Sequence, residues 1–418
     1  MNGSAEIICV GTELLLGDIL NRNAQFLARQ LADLGIPHYY QTVVGDNPMR
    51  IKQAVAIACE RARLLIFTGG LGPTPDDLTH QTLADFFDLP LVEHRSILED
   101  IQVKFAQRGR TMPETNRKQA LLPKGAEVLP NAIGSAPGVI WQPRPGLTVM
   151  TFPGVPSEMQ AMWQTTAVPY LQGHQWGQGV FVSRTLRFWG ISESALAAKV
   201  MPWLGQGNPT VAPYASWGEV KLRITARGNS LVNAAEVIAP VEAELRRIGG
   251  LDCYGSDDDS LASVVGAQLR SQGQTLAVAE SCTGGGLGEL LTAIAGSSDY
   301  FWGGIIAYAN SVKVSLLNVD PDRLAQDGAV SAVVAEQMAC GVKQQLGSDW
   351  SLSITGIAGP GGGSEEKPVG LVYIGLASPD GQVRSHRYQF GSSRGRDWIR
   401  HVSRCYALDQ LRRALVEG

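Results

Sequence analysis

The sequence predicts an α/β protein: two doubly wound α/β domains joined by a small α+β domain. Three observations predict it. The chain has 418 residues, more than one core organises, since single hydrophobic cores stop growing near roughly 250–300 residues. At both ends, short β-rich runs alternate with helical periods of about 10–15 residues, the pattern of strand–helix–strand units. Between them, "GHQWGQG" and acidic "SDDDS" bracket a stretch of different rhythm. The expected domains are 1–170, 171–255 and 256–418.

In the first region "EIICV", "HYYQTVV" and "RLLIFTGG" read as strands of a parallel sheet, with helices at "NAQFLARQLADLG" and "RIKQAVAIACERA". Ligands of such sheets gather at the carboxyl ends of the strands. "GVIWQ" and "GLTVMTFPG" read as paired strands, and "SEMQAMWQTTAVPYL" as a helix that closes the domain. The middle region runs strand ("VFVSRTLRFWG"), helix, strand ("EVKLRITARG"), helix ("AAEVIAPVEAELRRI"). The last region opens with a helix in which Leu261, Val264, Val265 and Leu269 keep helical spacing and Gly273 is the stop. It continues through "TLAVAES", a glycine-rich helix, "GGIIAYA", a helix at "VVAEQMACGVKQQLG", "WSLSIT", "GLVYIGLAS", "VRSHRYQF" and a long final helix.

Apolar residues make up 44% and charged residues 18% of the chain, which excludes disordered and fibrous classes. The formal net charge is −4 with no long basic run, which argues against a nucleic-acid partner. No segment offers about 18 uninterrupted apolar residues, so no membrane span is expected. The opening "MNGSAEIICVGTE" lacks a signal peptide's basic and apolar regions, and a cytoplasmic protein is the expectation. Six cysteines without a Cys-x-x-Cys pair argue against a zinc knuckle or a disulfide framework; most are expected as small core residues. The histidines show no metal-ligand spacing and are expected to be structural or surface residues.

Two junctions carry chemistry. In "FTGGLGPTPDDLTHQTLADFF", Gly69, Gly70 and Gly72 let main-chain N–H groups approach an anion, with Thr79 in the first turn of the next helix. Asp76 and Asp77 beside such a nest repel an anion unless a hard divalent cation sits between them. Alternatively they cap a helix while Pro73 and Pro75 shape the loop. No Gly-x-Gly-x-x-Gly turn follows the first strand, so a Rossmann dinucleotide site is not expected.

In "TLAVAESCTGGGLGELLTA", Ser281, Cys282 and Thr283 stand where a strand hands over to a helix. An α/β enzyme holds a nucleophile at such a turn, above the sheet and near a helix N-terminus that stabilises an oxyanion. The alternative is capping by Ser281 or Thr283, with glycines for close packing. If the next strand is parallel, "GGIIAYANSVK" brings Tyr308, Asn310 and Lys313 to the same edge. A desolvated lysine there can be neutral and take the serine proton. Cys282 is the other candidate nucleophile, since a helix N-terminus favours a thiolate. "SITGIAGPGGG" places Thr355 before a glycine-rich loop with Gly356 and Gly359, a candidate phosphate or ribose cradle. Arg396, Arg400 and Arg404 form an i, i+4, i+8 stripe, which reads as a solvated face, while at the helix start Arg394 or Arg396 can instead reach a ligand phosphate bidentately.

Six motifs in order, "GTELLLGDILNRN", "FTGGLGPTPDDLT", "FPGVPSEM", "AESCTGGG", "YANSVK" and "TGIAGPGGGSEEKPVG", resemble the competence/damage-inducible protein A (CinA) family over essentially the whole chain. The resemblance implies an N-terminal MoaB/MogA-type, molybdopterin-binding-like domain, in this family associated with metal-dependent ADP-ribose pyrophosphatase activity. It implies a KH-type middle domain and a C-terminal domain similar to nicotinamide mononucleotide (NMN) deamidases. Ser281 is then the nucleophile on the carboxamide and Lys313 its base, with Tyr308 and Thr355 supporting the dyad or the ligand. Main-chain amides around Thr283, Gly284 and Gly285 face the oxyanion, and Asn310, Gly356 and Gly359 join the substrate-binding set. The family's Gly-Asp-Arg near the end is replaced here by "GSSRGR", so the phosphate arginine is sought among Arg394, Arg396 and Arg400, with Arg396 favoured.

For the N-terminal domain the resemblance implies that Asp76 and Asp77, with Asp18 and Glu13, surround a divalent metal such as magnesium and a pyrophosphate cradled by Gly69, Gly70, Gly72 and Thr79. No cofactor is expected for the deamidase, and a homodimer is implied. The middle region has no Gly-x-x-Gly loop, so the KH name carries no RNA-binding expectation. The rival reading is a nucleotide- or molybdopterin-binding scaffold, without turnover, in competence or DNA repair.

Overall fold

The computed structural model describes residues 3–177 and 179–417, arranged in two compact units, Met1–Val182 with Ala226–Glu236 and Ser183–Thr225 with Val237–Gly418. Among the described residues no helix is long and apolar enough to cross a membrane.

The N-terminal sheet has six strands in the order β2-β1-β3-β8-β7-β6. Its strands are β1 (Ala5–Val10), β2 (His38–Val44), β3 (Leu64–Thr68), β6 (Glu127–Leu129), β7 (Gly138–Arg144) and β8 (Leu147–Phe152), while β4 (Leu91–Glu93) and β5 (Leu121–Pro123) form a separate pair. The helices are α1 (Thr12–Leu16), α2 (Arg22–Asp33), α3 (Pro48–Arg61), α4 (Thr79–Phe86), α5 (Arg95–Gln107), α6 (Pro156–Met162) and α7 (Val168–Gly173). The β2, β1, β3 and β8 run is parallel. The β6–β7–β8 edge is antiparallel, so the sheet is mixed where a parallel one is expected. β1, β3 and β8 are buried along their whole lengths, because each face packs on helices. Ile7, Ile66 and Met150 meet Leu27, Leu31 and Trp163 on one face, while Ile8, Leu65 and Val149 meet Ile51, Val55 and Leu83 on the other.

The middle sheet has the order β10-β11-β9-β12, from β9 (Val180–Phe188), β10 (Thr210–Ser216), β11 (Glu219–Gly228) and β12 (Cys253–Ser256), with α8 (Glu193–Lys199), α9 (Met201–Leu204) and α10 (Leu231–Gly249). The sequence reading anticipates β9, β11 and the helices but not β10 or β12. Pro213 lies within β10, which is tolerated because β10 is an edge strand.

The C-terminal sheet has the order β14-β13-β15-β16-β17, from β13 (Leu276–Glu280), β14 (Phe301–Ile306), β15 (Trp350–Gly356), β16 (Leu371–Ala377) and β17 (Val383–Gln389). Its helices are α11 (Leu261–Gln272), α12 (Gly286–Thr292), α13 (Asn310–Leu317), α14 (Pro321–Asp327), α15 (Ala332–Leu346) and α16 (Gly395–Glu417). β13 is parallel to both neighbours, and the β15–β16–β17 edge is antiparallel. Leu276, Val278 and Ile354 pack toward Val265, Leu269 and Leu408 of α11 and α16. Ala277 and Ala279 face Leu317, Val334 and Met338 of α13 and α15. The small alanines let these two helices lie close to the sheet.

The α13–α15 crossing is closest at Gly341, where an added Cβ would stand 2.0 Å from the Leu317 carbonyl oxygen. Alanine inside a helix ordinarily gains about 1 kcal/mol over glycine. Here the collision reverses the sign: Gly341→Ala is expected to cost about 1–3 kcal/mol and lower the thermal midpoint. A raised midpoint would contradict the close crossing.

Candidate active site

Ser281 follows the last residue of β13, and Lys313 sits in α13, which follows the parallel neighbour β14. Parallel pairing delivers both to the same sheet edge. Ser281 is 8% exposed and Lys313 only 1%. The Lys313 Nζ lies 3.1 Å from the Ser281 Oγ, 2.7 Å from the Ala307 carbonyl oxygen and 3.2 Å from the Tyr308 carbonyl oxygen. Among the described residues no carboxylate pairs with it, and burial pulls its pKa below the ordinary lysine value. A neutral amine has two N–H donors and one lone pair. A neutral amine in this position would give its two N–H groups to the carbonyls and keep its lone pair for the Ser281 O–H.

The turn after β13 is shaped by Gly284 and Gly285, at φ +58° and +91°, conformations that favour glycine. Neither Ser281 nor Thr283 caps α12. That role falls to Glu280, 1% exposed, whose carboxylate accepts the N–H groups of Leu287 (3.0 Å) and Gly288 (2.9 Å). The N–H of Gly284 is taken by the Ser281 carbonyl and that of Gly286 by the Thr283 carbonyl. Among the described residues the N–H groups of Cys282, Thr283 and Gly285 have no main-chain acceptor. Thr283 is fully buried, and its hydroxyl has no partner among the described residues. Burial pushes the Cys282 thiol up to about 12, so it stays protonated near neutral pH and is a poor nucleophile beside Ser281.

The other expected residues gather around this dyad with altered roles. Tyr308 is 62% exposed, and its carbonyl rather than its ring holds Lys313. Its hydroxyl accepts from Arg396 at 3.4 Å. Thr355 is buried, but its hydroxyl is committed to the Ala329 carbonyl at 2.7 Å, so it anchors the loop before α15 and not the dyad. Asn310 is exposed in the first turn of α13. Gly356 packs on β16, where a Cβ would meet Val372 at 2.6 Å. The Gly359 carbonyl accepts from Arg396 at 2.8 Å. Arg400 donates to the Thr283 carbonyl at 2.8 Å, and Arg404 reaches the Gly286 carbonyl at 3.4 Å. Glu280 escapes the sequence reading, although a carboxylate ending an apolar strand is itself a signal: buried, it requires partners.

In the N-terminal domain a cavity of about 460 Å³ opens at the carboxyl ends of β1, β3 and β8, with Glu13, Gly69, Gly70, Gly72, Asp76 and Asp77 in its lining. Gly69 (φ +102°) has no room for a Cβ, which would lie 2.0 Å from the Val10 carbonyl oxygen. Thr79 is fully buried behind this loop and donates to the Gly69 carbonyl at 2.9 Å, so it supports the nest without lining it. Asp77 closes the loop by accepting the Thr74 N–H (2.9 Å) and hydroxyl (2.5 Å). Asp76 is exposed beside this loop.

Asp18 lies outside this lining. Gly17, left-handed at φ +79°, ends α1 and turns the chain outward, leaving Asp18 exposed. No three His, Cys, Asp or Glu side chains are placed to hold a metal ion among the described residues. The carboxylates of Glu13 and Asp76 beside main-chain N–H groups still fit magnesium in kind, because that ion keeps water and phosphate ligands and takes only one or two carboxylates. Histidine is structural here: His80 shares a 2.8 Å hydrogen bond with Thr151, and burial lowers its pKa to about 4.

Comparison with known proteins accounts for nearly all of the chain. Residues 6–173 match a probable molybdopterin binding domain, 183–255 the damage-inducible protein CinA KH domain and 258–415 the CinA C-terminal domain. A CinA-like protein of Cyanothece sp. is 69% identical over 416 residues, covering 100% of this chain and 99% of its own. One from Nostoc punctiforme is 66% identical over 413 residues, with 99% of each chain covered. Among solved structures, a competence/damage-inducible protein from Agrobacterium tumefaciens is 40% identical across 37% of this chain and 93% of that one, with a TM-score of 0.36.

Proposed function

The chain belongs to the CinA family, and from that premise we propose that its C-terminal domain hydrolyses the carboxamide of NMN to nicotinate mononucleotide and ammonia. One observation carries the reading: Lys313, buried with no carboxylate partner among the described residues, holds its Nζ within hydrogen-bond distance of the Ser281 Oγ and of the Ala307 and Tyr308 carbonyls. Neutral Lys313 takes the Ser281 proton as Oγ adds to the carboxamide carbon, made electrophilic by the cationic pyridinium. The carbonyl π electrons move to oxygen, and the N–H groups of Thr283 and Gly285 receive that charge. Collapse of the adduct breaks the C–N bond. Lys313 returns its proton to the leaving nitrogen, releasing ammonia and leaving an ester on Ser281. Water, deprotonated by Lys313, then cleaves the ester and restores the serine. Arg396, exposed at the start of α16 and fixed through only part of its guanidinium, is the residue we assign to the substrate phosphate.

For the N-terminal domain we propose hydrolysis of ADP-ribose to AMP and ribose 5-phosphate. The supporting observation is the cavity that joins a glycine nest to exposed carboxylates. Main-chain N–H groups of Gly70, Leu71 and Gly72, which have no main-chain acceptor among the described residues, bind the pyrophosphate, and Glu13 and Asp76 would hold a divalent ion that would neutralise phosphate charge. A homodimer forms part of the same reading. A scaffold that binds nucleotides without turnover is the rival, and it predicts ligand binding with neither ammonia nor AMP released.

Ser281→Ala should abolish ammonia release while NMN still binds, and Cys282→Ala should leave it largely intact. Full activity in Ser281→Ala removes the nucleophile assignment. Lys313→Met should lower kcat by about 10²–10⁴. Because only the neutral amine accepts the proton, wild-type kcat should rise with pH up to the lowered pKa of Lys313 and then level off. A profile already flat across that range would contradict a lysine base.

Removing divalent ions with EDTA should stop AMP release from ADP-ribose, and magnesium should restore it. Equal release with EDTA present would rule out the metal-dependent reading of the N-terminal cavity.

A further inference from the structure

Helix α16 is gripped from two sides. Toward the catalytic turn and the glycine-rich loop it sends Arg400 to the Thr283 carbonyl, Arg404 to the Gly286 carbonyl and Arg396 to the Gly359 carbonyl. Toward the middle domain, the ring of His401 stands edge-on to Trp217, with centroids 5.5 Å apart, and Tyr406 meets Trp189 at 5.4 Å. Near the helix end Arg413 bonds Asp252 at 2.8 Å and the Trp189 carbonyl at 3.3 Å. Arg412, 3% exposed, donates to the Leu251 carbonyl. Both arginines are also tied to Asp409, 4% exposed. Trp189 and Tyr254 of the middle domain belong to the same hydrophobic cluster as Leu408 and Leu411 of α16.

The hairpin between β10 and β11 shows that this contact shapes the middle domain too. Ser216 pairs with Glu219 across a two-residue turn, Trp217–Gly218, with φ +51° and +87°. Two positive φ values define the mirror-image turn that matches strand twist, a turn favoured by Asn-Gly. A bulky residue at the first position is out of place there, and at 59% exposure burial does not explain it. What the indole gains is the edge contact with His401. Gly218 fits the same purpose, since a Cβ there would stand 3.2 Å from Val402 of α16 and 3.1 Å from Trp189.

We propose that the middle domain is an intramolecular clamp on α16, with Trp217, Trp189 and Asp252 as positioning residues that set Arg400 and Arg404 against the Ser281 turn and Arg396 against the Gly359 loop. The clamp stands on these contacts alone, and its effect on substrate rests on the deamidase reading. The KH-type sheet thus serves a protein helix, in accord with its lack of a Gly-x-x-Gly loop.

Two full-length variants test it. Trp217→Asn creates the favoured Asn-Gly turn, so the hairpin is kept and only the ring contact goes. Asp252→Asn weakens the grip on Arg413 at the other end. Hydrogen–deuterium exchange should rise in the peptide covering 280–290 in both variants. The KM for NMN should rise about fivefold or more while kcat changes less than about twofold, a split that mere loss of folded protein does not produce. Unchanged exchange and unchanged KM in both variants overturn the clamp, whatever the wild-type activity. No ammonia from wild type overturns the deamidase reading, and the exchange comparison still decides the clamp.

Discussion

A lysine amine buried beside a serine hydroxyl, with no carboxylate partner among the described residues, is the constraint around which the C-terminal domain is organised. A charged Lys313 would pay a large desolvation cost at 1% exposure. The surroundings provide two carbonyl oxygens and the Ser281 hydroxyl within hydrogen-bond distance of Nζ, while burial lowers its pKa. Holding that geometry requires α13 to be fixed in depth and rotation. The close crossing at Gly341 and the alanine-lined face of β13 fix the depth. The parallel register of β13 and β14 fixes which residues meet.

The catalytic turn adds a second electrostatic demand. Helix α12 offers N–H groups where an oxyanion would form, yet Glu280 already occupies two of them. This buried carboxylate secures the helix start, and the N–H groups of Thr283 and Gly285 stay without a main-chain acceptor among the described residues. Arginines on α16 grip the turn through its carbonyls, so the loop is held from behind by cations and from within by a carboxylate. The N-terminal cavity follows a looser plan: glycines clear the approach, Asp77 locks the loop, and Glu13 and Asp76 stay exposed.

Much of this was legible in the sequence because strand order and side-chain chemistry agree. A polar break after a buried strand locates Ser281, and a lysine soon after the next strand becomes its neighbour once the two strands are parallel. The α/β class and the central strands β1, β3 and β8 follow from fully apolar runs, which burial on both faces requires, whereas three-residue β6 offers no such run. Less legible were features whose meaning depends on what packs opposite. The arginine stripe of α16 reads identically as a solvated face. Thr355 looks like an active-site hydroxyl until Ala329 takes it. Asp18 sits only five residues beyond Glu13, but the left-handed Gly17 points it away. β10 is hidden by its proline, and β12 by its length of four residues.

The account stands or falls on the charge of one side chain, which a 13C NMR titration of lysine Cε signals reads directly, with Lys313 identified by its absence in Lys313→Met. The account predicts that this lysine titrates below the ordinary value of 10.5, apart from the exposed lysines. A Lys313 signal titrating with the exposed lysines, or above them, would mean that the amine stays charged at Ser281 and is not its base.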